Sequence, residues 1–348
     1  LSPKVVFDYP QLKAFNIFFV IKMIQNKTET EIGFAKYNFE KTEEDGSILN
    51  HHKNINVYYG SIHAIKDVSF EVNDGEIVTL IGANGAGKST TIRHLMGFSE
   101  AQKGELHILG MDCWKQAAEI KTKVGYLPGE IAFPKGMTGT GFLAMMMRLR
   151  GVDDDSYLKS LLERFELDPR MDIDDMSLGV RRKLAVVTAF MHDPDILILD
   201  EPTSGLDPVM QQTFIDYITS EKERGKTILL SSHIFHEVDA TCDRIAIIKA
   251  GRIMADFDSK DFKRNGVRIY FVTFADKESY DSFLGMGFRI SEQEDDRFRA
   301  RVMTEDKGVK DFLRAIKPLN ICDMKEIPFT LEDYFMQFYK DERKGEDQ

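Results

Sequence analysis

Cysteine is scarce: three in 348 residues, Cys113, Cys242 and Cys322, odd in number and far apart. That pattern argues against the disulfide framework of a small secreted domain and suits a reducing compartment. Apolar runs long enough to cross a bilayer are missing too; the closest approach, residues 15–24, is short and interrupted by Lys22. No small-residue cleavage site follows it closely, so it is not read as a secretory leader, and a cytoplasmic chain is expected. Basic charge is in deficit, with 46 Lys and Arg against 57 Asp and Glu and a net charge of -11. A nucleic-acid backbone, which selects a basic surface, is therefore not an expected partner. A nucleotide is not excluded, because one loop can supply local positive potential. Catalytic spacing is absent from residues 1–47, which are assigned no function.

What is present is an ordinary globular composition, 43% hydrophobic and 30% charged, at a length that suits about two domains. Its organising stretch is Gly82-Ala83-Asn84-Gly85-Ala86-Gly87-Lys88-Ser89-Thr90, a complete G-x-x-x-x-G-K-[ST] phosphate loop. The apolar run 77–81 before it reads as a buried parallel strand, and 91–96 after it as a helix start. Glycines let backbone N–H groups turn toward an anion, and the helix N-terminus adds its positive dipole end. Lys88 can then reach the terminal phosphates and the Ser89 hydroxyl can ligate Mg²⁺. The pattern alone arises by chance in roughly one chain per hundred of this length, so it needs partners.

Upstream, Tyr58-Tyr59-Gly60 has two readings. Tyr59 stacks on an adenine ring, a contact worth about 1–3 kcal/mol in other stacking systems, or both tyrosines merely end a strand. An alternating strand over 64–72 and the turn Asn73-Asp74-Gly75 lead into the loop strand. Downstream, 104–109 and 123–127 read as strands, and 138–150, 156–166 and 179–192 as helices. Asp153-Asp154-Asp155 reads as a solvated loop and cap. Met145-Met146-Met147 reads as core, with a docking surface as the alternative. The run Ile196-Leu197-Ile198-Leu199-Asp200-Glu201 ends a buried strand in two acids, which places both carboxylates at the ligand-binding edge of an open α/β sheet. Asp200 is suited to hold Mg²⁺, and Glu201 to orient or deprotonate an attacking water. The strand 227–232 delivers His233 to the same edge, and Ser204-Gly205-Leu206-Asp207 follows the acids.

In that order the motifs resemble the nucleotide-binding subunit of ATP-binding cassette (ABC) transporters over residues 48–265. The resemblance implies a P-loop NTPase cassette of the α/β class, with a mixed sheet core and a helical subdomain at about 130–192. It also implies ATP and Mg²⁺ as ligands, separate permease subunits in the membrane as partners, and a place on the inner face of that membrane. Tyr59 is similar to the adenine-stacking aromatic, Gly82 to Ser89 to the Walker A loop and 196–200 to Walker B. Glu201 corresponds to the general base, residues 204–207 to the D-loop and His233 to the switch histidine. Ser177-Leu178-Gly179 stands where the signature motif belongs. Ser177, as an N-cap beside helix N–H groups, suits a second γ-phosphate site. In the family that site closes over the ATP of the opposite subunit, which implies a head-to-tail homodimer.

Two motifs depart from the family pattern. The signature, Met176-Ser177-Leu178-Gly179-Val180, keeps the serine and one glycine but loses the other glycine, at Leu178, and the glutamine; and Gly129 stands where the Q-loop glutamine belongs, followed by Glu130. Glu130 then contacts Mg²⁺ or the lytic water, or the loop only signals to the membrane partner. Residues 56–90 resemble branched-chain amino-acid importer ATPases, whereas the chain from about Ile92 resembles type-2 exporter ATPases. The longer stretch decides for an exporter; an importer ATPase and a non-transport ABC protein are the alternatives. Residues 266–348 read as a small α/β accessory domain: strands at 267–274, 288–291, 298–302 and 324–327, helices at 277–284, 307–316 and 331–339. Thr330-Leu331-Glu332-Asp333 is a capping box for the last of these.

Overall fold

The computed structural model describes residues 47–264 and 266–340. The apolar stretches at 5–7 and 15–24 lie outside the described residues.

β1 (Ser47–Tyr59) turns into β2 (Ile62–Asn73), an antiparallel pair with Val57 opposite Ile65 and Tyr59 opposite Ile62. Alternation sends Val68, Phe70 and Val72 into the core and Ser69 and Glu71 outward. The turn at Asn73-Asp74-Gly75 leads into β3 (Ile77–Ile81), buried throughout, and α1 (Lys88–Leu95) starts directly after Gly87. The single strand expected at 104–109 is two. β4 (Lys103–Glu105) pairs with β1, while β5 (His107–Ile108) forms a hairpin with β6 (Met111–Asp112). Leu109 and Gly110, both at positive φ, make the turn that separates them.

α2 (Ala117–Lys123), which the sequence reading did not anticipate, runs straight into β7 (Val124–Leu127). The three expected helices follow as α3 (Gly139–Arg150), α4 (Ser156–Arg164) and α5 (Leu178–Phe190). Thr138 caps α3 through the Gly141 N–H at 3.1 Å, and Asp154 accepts the Ser156 N–H at 2.8 Å where α4 begins. Of the methionine triplet, Met146 is buried and its two neighbours half-buried. β8 (Ile196–Asp200), α6 (Pro208–Glu223), β9 (Thr227–Ser232), α7 (Phe235–Thr241), β10 (Arg244–Lys249) and β11 (Arg252–Asp258) complete this part.

The central sheet has the order β11-β10-β3-β9-β8-β7, and from β10 to β7 every neighbouring pair is parallel. Covering on both faces explains why β3, β8 and β9 read as unbroken buried runs. Register matters most for function. Ile81 lies opposite Ser232 and Asp200 opposite Ser231, so the residues that follow β3, β8 and β9 leave the sheet at one edge.

The chain divides into two compact units at Phe257/Asp258. α8 (Ser259–Arg264) belongs to the second unit, where Phe262 packs on Phe329 and Tyr334 with centroids 5.6 and 5.7 Å apart. That unit holds an antiparallel sheet of β13 (Arg289–Glu294), β14 (Arg299–Glu305), β12 (Val267–Phe274) and β15 (Ile321–Ile327), in that spatial order. α9 (Lys277–Leu284), α10 (Val309–Ile316) and α11 (Leu331–Lys340) accompany it. Its core joins Tyr270, Val272 and Phe274 of the sheet to Phe283 and Phe312 of two helices. Thr330 and Asp333 exchange hydrogen bonds at the start of α11, as a capping box does.

Candidate active site

Gly87 takes φ 112° at the N-cap of α1, a conformation natural only to glycine, and a Cβ there would lie 2.8 Å from Ile65 Cδ1. The loop therefore turns tightly enough to bury Lys88, which is 5% exposed. Its ammonium donates to the Gly82 carbonyl at 2.7 Å and approaches Glu201 Oε1 at 3.2 Å. Asn84 and Gly85 are exposed at the loop crest, Ala86 is buried, Ser89 is exposed at the start of α1, and Thr90 is half-buried behind it.

Glu201 leaves β8 at φ 49°, a left-handed conformation that costs a non-glycine residue about 1–3 kcal/mol. Its N–H is held by the Ser231 carbonyl at 3.0 Å and the Ser231 hydroxyl at 3.1 Å. The bend aims its carboxylate at two cations or donors at once, Lys88 through Oε1 and His233 Nδ1 through Oε2. Asp200 is 3% exposed, and its Oδ1 accepts from the Ser231 hydroxyl. Loop 82–90, Asp200, Glu201 and His233 thus meet at the shared sheet edge.

Tyr58 and Tyr59 end β1 and both are exposed, but differently used. Tyr58 stacks on His63 at 4.1 Å with 12° between the planes, whereas Tyr59 is 49% exposed. Ser177, Gly179 and Asp207 are not brought to Lys88 by any hydrogen bond of theirs. Ser177 caps α5 on the Val180 N–H at 3.3 Å, and Asp207 caps α6 on the Val209 and Met210 N–H groups at 3.0 Å each. A Cβ on Gly179 would lie 3.3 Å from the Gly205 carbonyl, so the helix start and the 204–207 loop are neighbours. Leu178 stands 65% exposed beside them.

Gly129 proves to be a close approach. A Cβ there would lie 2.9 Å from Asp200 Oδ2, so the absent side chain leaves room for that carboxylate. Glu130 is exposed.

Two groups were missed from the sequence. Arg182, 2% exposed, spends its guanidinium on the carbonyls of Pro128, Gly129, Asp200, Glu201 and Pro202. Burial pulls its pKa down to about 10 against the attraction of Asp200, Glu201 and Glu237. It shares a helix face with buried Ala185, Val186 and Ala189, and an arginine on an apolar stripe was the available signal. Glu237, 1% exposed, accepts from the Ser232 hydroxyl at 2.6 Å and the Thr203 hydroxyl at 3.3 Å. Burial pushes its carboxyl up to about 7.

The family described as ABC transporter matches residues 65–204. The ABC transporter ATP-binding protein NatA of Bacillus subtilis is 37% identical over 199 residues, 56% of this chain and 81% of the relative. The bacitracin transport ATP-binding protein BcrA of Bacillus licheniformis is 28% identical over 285 residues, 80% of this chain and 93% of the relative. Among solved structures, an ATP-binding subunit of an ABC transporter superposes with a TM-score of 0.59 at 31% identity, over 62% of this chain and 92% of that one. With a 37% identical relative covered over four-fifths of its length and the family match over residues 65–204, this chain belongs to the ABC transporter ATP-binding proteins, a family of ABC ATPases.

Proposed function

We propose that this ABC ATPase is the motor subunit of an exporter, in which ATP binding and hydrolysis at the edge of β3, β8 and β9 drive separate permease subunits. The observation that carries the reading is the Glu201 carboxylate, shared between Lys88 and His233. A triphosphate cradled by loop 82–90 competes with Glu201 for Lys88. Once released from the lysine, Glu201 accepts a proton from a water lying in line with the terminal phosphate, and His233 steadies the carboxylate from its other oxygen. Tyr59, with its ring free of the His63 stack that engages Tyr58, offers a face for adenine.

The residues fit Mg²⁺. Asp200 keeps Oδ2 clear beside the Gly129 gap, and the Ser89 hydroxyl begins the adjacent helix, one carboxylate and one hydroxyl being the donor set that leaves Mg²⁺ its waters and phosphates. Bound there, the ion would neutralise charge on the β and γ phosphates.

Ser177 and Gly179 lie on an exposed helix start next to the 204–207 loop, which supports their use on the nucleotide of a second copy, with Asp207 shaping that loop as a cap. A site completed only in the pair gives ATP a differential affinity for the closed form; shifting an open–closed equilibrium from 1:99 to 99:1 takes about 5.5 kcal/mol. No helix among the described residues is long and apolar enough to cross a membrane, which fits a partner permease and a place on its cytoplasmic side. The relative named for bacitracin transport favours export over import.

Glu201→Gln tests the reading. The variant should bind MgATP, accumulate as an ATP-bound dimer by size exclusion, and turn over about 10²–10⁴-fold more slowly. Hydrolysis at the parent rate would remove Glu201 as the base.

A further inference from the structure

Arg182 is a buried cation that the proposed chemistry does not use. Its five N–H groups make five hydrogen bonds, so no donor is left over. Nε donates to the Pro202 carbonyl at 3.0 Å; Nη1 donates to Pro128 at 3.0 Å and Gly129 at 3.1 Å; Nη2 donates to Asp200 at 3.1 Å and to Glu201. The acceptors come from two segments at the C-terminal ends of neighbouring parallel strands, β7 and β8. The donor comes from a third, the helix capped by Ser177. One planar group thus fastens the loop after β7 to the loop after β8, and both to the first turns of α5.

We infer that Arg182 is a positioning residue for hydrolysis: by gripping the Asp200, Glu201 and Pro202 carbonyls, it holds Glu201 in its left-handed bend and ties the acid's orientation to the helix that begins at Ser177. Glu201 is gripped from both sides of its backbone, its N–H by Ser231 and its carbonyl by Arg182. Loosening the second grip lets the bend relax toward ordinary β or α geometry and swings the carboxylate away from Lys88 and His233. The inference rests on Glu201 being the catalytic acid. It adds a route by which movement of the Ser177 helix end, which the proposed dimer places on the partner's nucleotide, reaches this chain's own acid. Arg182 touches no nucleotide-loop residue through these bonds, so nucleotide binding is separable from its role.

The test uses the full chain with Arg182→Gln and Arg182→Lys, read by steady-state hydrolysis, binding of a fluorescent ATP analogue, and amide exchange. In Arg182→Gln, kcat should fall on the order of a hundredfold, as for an acid misplaced by an ångström. KM and analogue affinity should stay within about threefold, because ground-state binding is untouched. Exchange should rise about tenfold at 128–130 and 200–203 while β3 and β9 keep their protection. Arg182→Lys preserves the charge but has three donors on one atom, and should not restore kcat. A kcat within about twofold of the parent in Arg182→Gln, restoration by lysine, or an equal fall in kcat and analogue affinity would overturn the inference. Failure of both variants to fold would overturn it too, by making Arg182 a residue of stability alone. Glu201→Gln separates this from the reading beneath it: parent-like hydrolysis there removes the general base, whereas the exchange pattern of Arg182→Gln reports on the grip itself.

Discussion

Replacing Gly129 with alanine is the sharpest probe of the Asp200 carboxylate, because a single carbon is added where there is no room for it. Gly129 does not have positive φ, so its backbone accepts alanine without strain and only space opposes the change. The new Cβ would sit 2.9 Å from Asp200 Oδ2 and 3.2 Å from its Cγ, where non-bonded carbon contacts settle near about 3.5–4.0 Å. Asp200 cannot simply give way: it is 3% exposed, Ser231 holds Oδ1, and Arg182 holds its carbonyl at 3.1 Å. If the carboxylate turns, it forfeits a hydrogen bond to a charged group, about 1.5–3 kcal/mol. If the 128–129 turn backs off instead, it strains the Arg182 bonds to Pro128 and Gly129. Expressed in the rate, that range is about ten- to a hundredfold in kcat. The assay is ATP hydrolysis across a Mg²⁺ titration, with nucleotide binding in chelator as the control, since the 82–90 loop is untouched. Gly129→Gln carries the same Cβ and should also lose rate, although glutamine is the residue the family resemblance expects there. Unchanged kcat and Mg²⁺ dependence in Gly129→Ala would refute the crowding argument.

Two buried groups give pH signatures of opposite sign. Burial lifts Glu237 to about 7, above its unfolded value, so the folded state holds the proton more tightly; stability is full below about pH 4.5 and declines as pH rises toward 7, by on the order of 3 kcal/mol. Glu237→Gln mimics the protonated acid, so its melting temperature should match the parent at pH 5 and exceed it at pH 8; parallel melting curves for the two across that range would contradict this. His192 is pushed down to about 3, first by burial and then by Arg150, whose Nη1 lies 2.6 Å from Nε2. Its stabilising share is present above pH 6.5 and lost as pH falls, at about 1.4 kcal/mol per unit, so His192→Asn should flatten the loss between pH 6.5 and 5; an unaltered acid limb in thermal melts would rule that out.

Legibility followed the range of the interaction. The phosphate loop, the two-acid strand end and His233 are each a local string, and the hydrophobic runs before them announced the parallel strands that carry them. The second unit was equally plain: strand 267–274 and helix 277–284 fall where alternation and period placed them. The short elements failed. Residues 104–109 carry no mark of the break at Leu106 that parts β4 from β5, and α2 is seven residues with one buried side chain, too little periodicity to see. Ser177 was legible as a helix cap, which it is, whereas the capping role of Asp207 was not read from the 204–207 string.

Gly129 and Arg182 show why a motif reading weighs substitutions imperfectly. In a string, Gly129 is the loss of a glutamine, yet in space it is the gap that leaves room for Asp200 Oδ2. Arg182 is one of two arginines after the Ser177-Leu178-Gly179 stretch, and only its place on the apolar stripe of α5 sets it apart from exposed Arg181. Only the parallel register, which sets β7 beside β8, brings five carbonyls within reach of one guanidinium. Leu178 is the converse case. Its side chain is the most conspicuous departure in the string, but it stands 65% exposed over Gly205 and fills no space the fold needs. The departure therefore bears on what meets that surface, and leaves the chain's own acid, lysine and histidine as they are.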